Sequence, residues 1–434
     1  MSTRRWWRIC CRRPAFPCRL SVTAGQPCSR ISLLWEYCST SRSRRRKKAN
    51  CTLQSPTPIA VDESRGKWKS GTPRVVIAGG GTGGHLYPGI ALAQEFQQRF
   101  DAKVMFIGTA YGIENRVLPG LPFAFKKIWM RGLQRKMSPA NLLFPLRLVV
   151  SLAQSLWHLA RFRPNVVIGT GGYASAPALL AAKALRIRTV IQEQNSYPGL
   201  VNRLLGNRVD QLHLTYEASR RYFAERPGVY VSGNPVRRGF QKADRSQARK
   251  KFGLRDGLVT LFVFGGSQGA HAINHAVLQA IQELMKLEKL QLLWATGPND
   301  FPLVRDKTAS AASRVSVHPF IEDMASAYAA SDMVLCRAGA TTLAEITVCG
   351  LPAILVPYPF ATAGHQDFNA RAMAEHGAAV VIPENELTPE TLIAVVAELV
   401  SQPEKRARMA EAALKLARPN AAGEIVTRVM ELLN

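Results

Sequence analysis

The sequence predicts two doubly wound α/β domains that face a common cleft. Three observations carry this. From Pro73 onward, short uncharged apolar runs alternate with longer Ala/Leu-rich stretches. The runs fall into two series. Glycine-rich turns follow several of them directly. Uncharged runs suit strands buried on both faces, and intervening helices make such sheets parallel. Ligands of such sheets sit at the carboxyl ends of the strands, so the turns mark the site.

In the first series the expected strands are Arg74–Ala78, Val104–Gly108, Asn165–Gly169, Thr189–Gln192, Gln211–Leu214 and Val229–Val231. In the second they are Val259–Phe264, Leu290–Thr296, Arg314–Val317, Met333–Cys336, Ala353–Val356 and Ala379–Ile382. Asn234-Pro235 and the charged stretch Arg237–Arg249 mark the linker. The expected division is 1–72, 73–235 and 236–434, with the last helix packing back on the first domain.

Residues 1–72 read differently. Of 57 Lys+Arg they hold 16, and of 30 Asp+Glu only 3, so +13 of the net +27 lies there. Six of eight cysteines lie there too, without C-x-x-C spacing. Cys336 and Cys349 are too few for a disulfide framework, which suits a reducing compartment. The segment carries RSRRRKK at Arg42–Lys48, and its longest apolar run, Ile31–Trp35, is too short for a signal peptide. A solvated extension, translated from a start codon set too far upstream, is favoured over a transit peptide or a basic tail for nucleic acid or membrane.

The chemistry lies in the turns. Gly79-Gly80-Gly81-Thr82-Gly83-Gly84-His85 follows the first strand and opens a helix. Such a loop lets backbone approach a bulky polar group and aims helix N–H groups at an anion. It is neither the dinucleotide nor the Walker pattern, and its bland alternative is a tight turn. Gly169-Thr170-Gly171-Gly172-Tyr173 and Gly265-Gly266-Ser267-Gln268-Gly269-Ala270 repeat the arrangement. Three such loops imply a phosphate- or sugar-binding cleft. Gln192-Glu193-Gln194-Asn195, Arg337–Glu345 and His365–Asn369 are polar clusters at further strand ends. Ala340, Thr341, Thr342, Leu343 and Ala344 would open a helix whose N–H groups face a phosphate. Glu345 suits two ribose hydroxyls, or else the helix dipole. His365 and Asp367 lack metal spacing.

Residues 141–160, NLLFPLRLVVSLAQSLWHLA, are unusually apolar, with Arg131, Arg135 and Lys136 before them and Arg161 and Arg163 after. They read as a face for an anionic membrane surface, as a helix packed on the sheet, or as both. Arg147 interrupts the run, so no span is expected.

Taken in order, these loops resemble the MurG family of bacterial N-acetylglucosaminyltransferases. The matching stretches are GGGTGGH (79–85), GTGGYASAP (169–177), QEQN (192–195), GNPVR (233–237), GGSQGA (265–270), FIEDM (320–324), CRAGATTLAE (336–345) and HQDFNA (365–370). Ala338 stands where the family usually has Ser, and Gln192 where it often has His. The resemblance implies the two-domain GT-B fold, with an acceptor and membrane-side domain followed by a UDP-sugar domain. It implies UDP-N-acetylglucosamine as donor and undecaprenyl-pyrophosphoryl-N-acetylmuramyl pentapeptide (lipid I) as acceptor. The acceptor 4-hydroxyl would attack with inversion, giving lipid II for peptidoglycan.

His85 is then the best candidate base. The donor would meet Thr82, Gly83 and Gly84 of the first loop. By the same resemblance Asn195 and Gln366 contact the donor sugar, Arg237 and Ser267 the diphosphate, the Ile321 main chain the uracil and Glu345 the ribose. Nothing resembles an Asp-x-Asp clamp, so neither metal nor cofactor is expected. The expected setting is the cytoplasmic face of the bacterial inner membrane, peripherally bound, with no nucleic-acid partner. The rivals are another GT-B enzyme, such as a diacylglycerol glycosyltransferase or a UDP-N-acetylglucosamine epimerase, and a nucleotide-sugar sensor without turnover.

Overall fold

The computed structural model describes residues 71–132, 142–237, 239–240, 243–266, 269–361 and 364–434. All but the last two residues of the basic extension lie outside these, as do Arg135, Lys136, Ser267 and Gln268.

The first sheet contains β1 (Arg74–Gly79), β2 (Lys103–Thr109), β3 (Ala124–Ile128), β4 (Val166–Gly171), β5 (Arg188–Glu193), β6 (Gln211–Leu214) and β7 (Val229–Val231). Its order is β3-β2-β1-β4-β5-β6-β7, parallel throughout. Between the strands run α1 (Gly83–Phe100), α2 (Glu114–Val117), α3 (Phe144–Phe162), α4 (Ser175–Ala184) and α5 (Leu200–Leu205). The second sheet contains β8 (Val259–Phe264), β9 (Leu290–Ala295), β10 (Val315–His318), β11 (Met333–Cys336), β12 (Ala353–Leu355) and β13 (Ala379–Val381), in the order β10-β9-β8-β11-β12-β13, again parallel. Its helices are α6 (Arg245–Lys251), α7 (His271–Lys286), α8 (Phe301–Lys307), α9 (Met324–Ala330), α10 (Ala340–Cys349), α11 (His365–Glu375), α12 (Pro389–Ser401) and α13 (Pro403–Leu416).

Both faces of each sheet are covered. Along β1, Val76 and Ala78 point into a core with Leu159 of α3 and Leu179 of α4. Val75 and Ile77 point the other way, against Ile90 and Phe96 of α1. That alternation is the two-residue period of a strand carried on a run with no polar side, as a doubly covered sheet requires. The last helix, α14 (Ala421–Leu433), belongs to the same core as α1. Ile425, Val426 and Val429 are fully buried there beside Val75 and Ile77. The Arg99 guanidinium donates to the Gly423 carbonyl, and Gln211 Nε2 donates to the Arg428 carbonyl. The chain thus crosses to the second lobe once and returns. The two crossings touch, since a Cβ on Gly233 would lie 2.6 Å from Arg418 Cβ.

The structure adds one strand to those expected. β3 has the sequence AFKKI, sits at the sheet edge and is mostly exposed. Its paired lysines hide it from a search for apolar runs, yet they are how an edge strand resists pairing with other chains.

Candidate active site in the cleft between the two sheets

The first glycine loop leaves β1 at Gly79 and enters α1 at Gly83. Gly80 and Gly81 have φ of +154° and +86°. What holds the loop is Glu114 of α2, whose side chain is fully buried. Its carboxylate accepts from Gly81 N–H at 2.8 Å, Thr109 N–H at 2.9 Å and the Thr109 hydroxyl at 2.8 Å. A Cβ at Gly80, Gly108 or Gly112 would fall 2.5, 2.9 or 2.0 Å from that side chain. Three glycines in separate segments therefore leave room for one carboxylate. Sequence reasoning missed Glu114, because nothing local sets it apart from a surface helix acid.

His85 sits half-buried in the first turn of α1, with Nδ1 3.2 Å from the Thr82 hydroxyl. Thr82 does not cap the helix with its side chain. The ring lies on the second glycine loop. There β4 slips register against β1, pairing Ala78 with Gly169 but Gly79 with Gly171. A Cβ on Gly171 (φ +100°) would come 2.7 Å from His85 Cδ2, and one on Gly172 (φ +76°) would come 2.5 Å from the Gly80 carbonyl oxygen. Burial lowers the His85 pKa below its usual 6.5, and His365 pushes the same way, while the Gly80 carbonyl and Glu114 oppose them. A lowered pKa leaves the imidazole neutral at physiological pH, the state a general base must start from.

Across the cleft α10 points its N-terminus at the first loop. The Thr341 hydroxyl reaches the Gly84 carbonyl at 3.4 Å. Gly339 caps the helix in extended conformation, and Leu343 N–H is already bonded to the Gly339 carbonyl. The amides of Ala340, Thr341 and Thr342 precede that first intrahelical bond, so they are the ones an anion can use. Leu343 is buried in the core and Ala344 is half-buried.

Glu345, one turn further, is 6% exposed. Tyr328 donates its hydroxyl to Oε2 at 3.0 Å, and Arg237 Nη2 lies 3.7 Å from Oε1. Burial raises the Glu345 pKa to about 7, against the opposing pull of Arg237 and Tyr328. Arg237 leaves the linker and spans both lobes, its guanidinium 4.6 Å from the ring centroid of Tyr87 on α1.

QEQN closes β5, with Gln192 and Glu193 its last two residues, and is mostly scaffold. Glu193 is buried and accepts from Asn195 N–H and Nδ2, Gly199 N–H and Asn202 Nδ2. Burial nonetheless raises its pKa. Gln194 Nε2 donates to the Thr170 carbonyl, tying this turn to the second loop. Half-buried Asn195 meets Asn369 of α11, which also accepts from Ser196 and donates to the Ala338 carbonyl. Asn369 thus bridges the lobes, a part no local signal in HQDFNA reveals.

Gln366 accepts from Tyr358 N–H at 3.0 Å, which leaves its amide nitrogen as donor. The Ile321 side chain is buried in the second core just beyond β10. Of the third loop, Gly265 and Gly269 are fixed by contact, since a Cβ on either would come 2.1 Å from Ala270 N or the Thr296 carbonyl oxygen. Ser267 lies outside the described residues. The structure therefore brings His85, Gly84, Thr341, Arg237 and Glu345 to one edge of the cleft, while Ile321 and Gln366 stand on the second lobe's own strand ends. Among the described residues, no group of three His, Cys, Asp or Glu could hold a metal ion.

A second surface lies on α3. Its inner positions include Ser151 and Ser155, both fully buried, with Leu159 between α3 and the sheet. Its outer positions are Leu146, Val149 and Trp157, 52%, 64% and 62% exposed, continuing from Leu142 at 83%. Leu148, Leu152 and Leu156 pack on the core as well, so the helix is apolar on both sides, whereas the usual surface helix turns a polar side outward. Phe144 packs on the core, so it is not part of the exposed face. Arg147 stacks over Trp129, and Arg131 and Arg161 are exposed nearby in sequence. No helix of the described residues is long and apolar enough to cross a membrane.

Comparison with known proteins gives one answer. The models of the glycosyltransferase family 28 N-terminal and C-terminal domains match residues 75–214 and 260–425. A protein of Anaeromyxobacter sp. (strain K) is 46% identical over 83% of this chain and 93% of its own length. One of Desulforudis audaxviator is 42% identical over 83% and 98%. Both are named UDP-N-acetylglucosamine--N-acetylmuramyl-(pentapeptide) pyrophosphoryl-undecaprenol N-acetylglucosamine transferase. The crystal structure of Acinetobacter baumannii MurG superposes with a TM-score of 0.65 at 28% identity, covering 83% of this chain and 99% of that one. A putative UDP-N-acetylglucosamine 2-epimerase from Listeria monocytogenes superposes with a TM-score of 0.60 over 84% of this chain and 97% of that one. At 16% identity this likeness speaks for the fold alone.

Proposed function

The chain belongs to the MurG family within glycosyltransferase family 28, and from that premise we infer its reaction: transfer of N-acetylglucosamine from UDP-N-acetylglucosamine to lipid I, giving lipid II for the cell wall. One observation carries the assignment of the chemistry to this cleft. A half-buried imidazole, its pKa lowered by burial, stands on two interlocked glycine loops facing the N-terminus of α10.

The acceptor 4-hydroxyl loses its proton to His85 and attacks the anomeric carbon from the side opposite UDP, so configuration inverts. Negative charge then grows on the departing diphosphate. The amides of Ala340 to Thr342 and the Arg237 guanidinium answer it without moving, which is why fixed dipoles are effective there. Thr82, Gly83 and Gly84 line the same edge. Asn195 and Gln366 serve the donor sugar, Ser267 the diphosphate, the Ile321 main chain the uracil and Glu345 the ribose.

The test is an assay of the purified protein with a panel of UDP-sugars and either lipid I or diacylglycerol. Label from UDP-N-acetylglucosamine should appear on lipid I. Transfer to diacylglycerol instead, or none to either, would overturn the assignment.

Glu345→Ala should raise the donor KM about tenfold while kcat stays within about threefold, because a ribose contact is made equally before and during reaction. Calorimetry showing unchanged donor affinity would remove Glu345 from the ribose. Donor affinity should also climb as pH rises through about 7, because the anionic carboxylate is the better acceptor and Glu345 gives up its proton there.

The outer face of α3 is proposed as the seat on the anionic membrane surface where lipid I lies, at the cytoplasmic side. The exposed Leu142, Leu143, Leu146, Val149 and Trp157, on a helix whose other side already packs on the core, support it. Replacing Leu142, Leu143, Leu146 and Val149 with Ser should remove the inserted apolar part, leaving vesicle binding that salt releases. Replacing Arg131 and Arg161 with Glu should cost about 1 kcal/mol or more per residue at low salt and make binding nearly indifferent to added salt. Co-sedimentation with anionic vesicles across a salt series distinguishes the two. Unchanged binding in both would move the seat elsewhere.

A further inference from the structure

We propose that Tyr328 is a positioning residue for the donor: its hydroxyl holds Glu345 with one free acceptor site on each carboxylate oxygen, matched to the ribose's two vicinal hydroxyls. This rests on the ribose role of Glu345 given above.

The hydroxyl cannot wander. Tyr328 is 1% exposed, and its ring is boxed by Phe240, Phe262 and Phe264 at centroid distances of 5.7, 5.8 and 5.9 Å. It donates to Glu345 Oε2 at 3.0 Å, while Arg237 faces Oε1 at 3.7 Å. A carboxylate offers about four acceptor positions, two on each oxygen. Tyr328 takes one and Arg237 covers one on the other oxygen. What remains is a pair, spaced as neighbouring hydroxyls are.

The same contact guards the charge. The groups around Glu345 are Arg237 from the linker, Tyr328 from α9, Cys336 from β11 and Cys349 from α10 itself. Burial raises both thiols and the phenol, so these stay neutral. Only the guanidinium and the tyrosine hydroxyl oppose the burial that favours the protonated acid. With the hydroxyl in place Glu345 titrates at about 7; without it the carboxyl keeps its proton to higher pH and presents a donor where the ribose also donates.

The experiment compares equilibrium binding of UDP-N-acetylglucosamine and its 2′-deoxyuridine analogue to three proteins at about pH 7 and about pH 8.3. The wild-type chain should prefer the ribose donor at both, about tenfold or more at the higher pH and less at the lower, where Glu345 titrates. Tyr328→Phe should lose most of that preference at the lower pH and recover only part of it at the higher, where more of the carboxylate is ionised but no hydroxyl holds it. Glu345→Ala should lose it at both. Thermal melting checks that the phenylalanine fills the aromatic box. If Glu345→Ala keeps the preference, the ribose reading itself falls. If Glu345→Ala loses it and Tyr328→Phe keeps it at pH 7, the ribose reading stands and the role of Tyr328 falls. A Tyr328→Phe protein that binds both donors more weakly by the same factor would reduce the tyrosine to packing and overturn the proposal as well.

Discussion

His85→Ala should lower kcat by about 100-fold or more, the usual cost of losing a general base, with donor affinity nearly unchanged. The pH profile makes the prediction sharper. Burial lowers the His85 pKa, so in the wild-type enzyme the imidazole proposed as base stays deprotonated down to a pH below the ordinary 6.5. The acid limb of kcat should therefore fall below that value and vanish in the alanine variant. The titration of Glu345 at about 7, proposed above to govern donor binding, should remain in KM. A loss of less than threefold in kcat would make His85 a loop residue and send the search for the base elsewhere.

The second large effect is expected from a residue with no functional group. Gly171→Ala places a Cβ 2.7 Å from His85 Cδ2, at a φ of +100°. The backbone strain should cost about 1–3 kcal/mol of stability, which a thermal melt reads. The imidazole is the softer party, so it should swing away, and a misplacement of about 1 Å can cost about 100-fold in rate. The variant should bind donor and fold, yet turn over nearly as slowly as His85→Ala. Combining the two should add little, because each removes the same base from the same place. Full activity in Gly171→Ala would mean that the ring need not rest on this loop.

How much of this the sequence discloses depends on distance along the chain. The strands along β1, β4 and β8 show in the sequence because sheets covered on both faces leave no polar positions in them. The edge strand β3 does not, since its lysines answer to solvent rather than to a core. The glycine loops are legible because glycine alone tolerates their backbone. Glu114 and Asn369 are not, because what each touches is set by segments far apart in sequence, such as Gly81 for Glu114 and Ser196 for Asn369. Tyr328 looks like any core aromatic until its hydroxyl is found on Glu345. Glu193 sits in a motif that marks the cleft, yet its four donors identify it as a brace for the turn rather than a hand for the substrate.

The return of α14 to the first lobe bears on how the protein is made. A nascent chain can finish the second sheet while still on the ribosome, but the first sheet must wait. Until residues 421–433 emerge, the side of α1 that they cover stays bare and its apolar surface faces water. The half that is synthesised first is therefore the half completed last. A message cut to end at residue 416 would release a chain whose second lobe keeps its strands and helices and whose first lobe is sticky. Ribosome-stalled chains ending near residue 416 should accordingly recruit chaperones that full-length chains escape, although nothing in the first lobe's own sequence has changed.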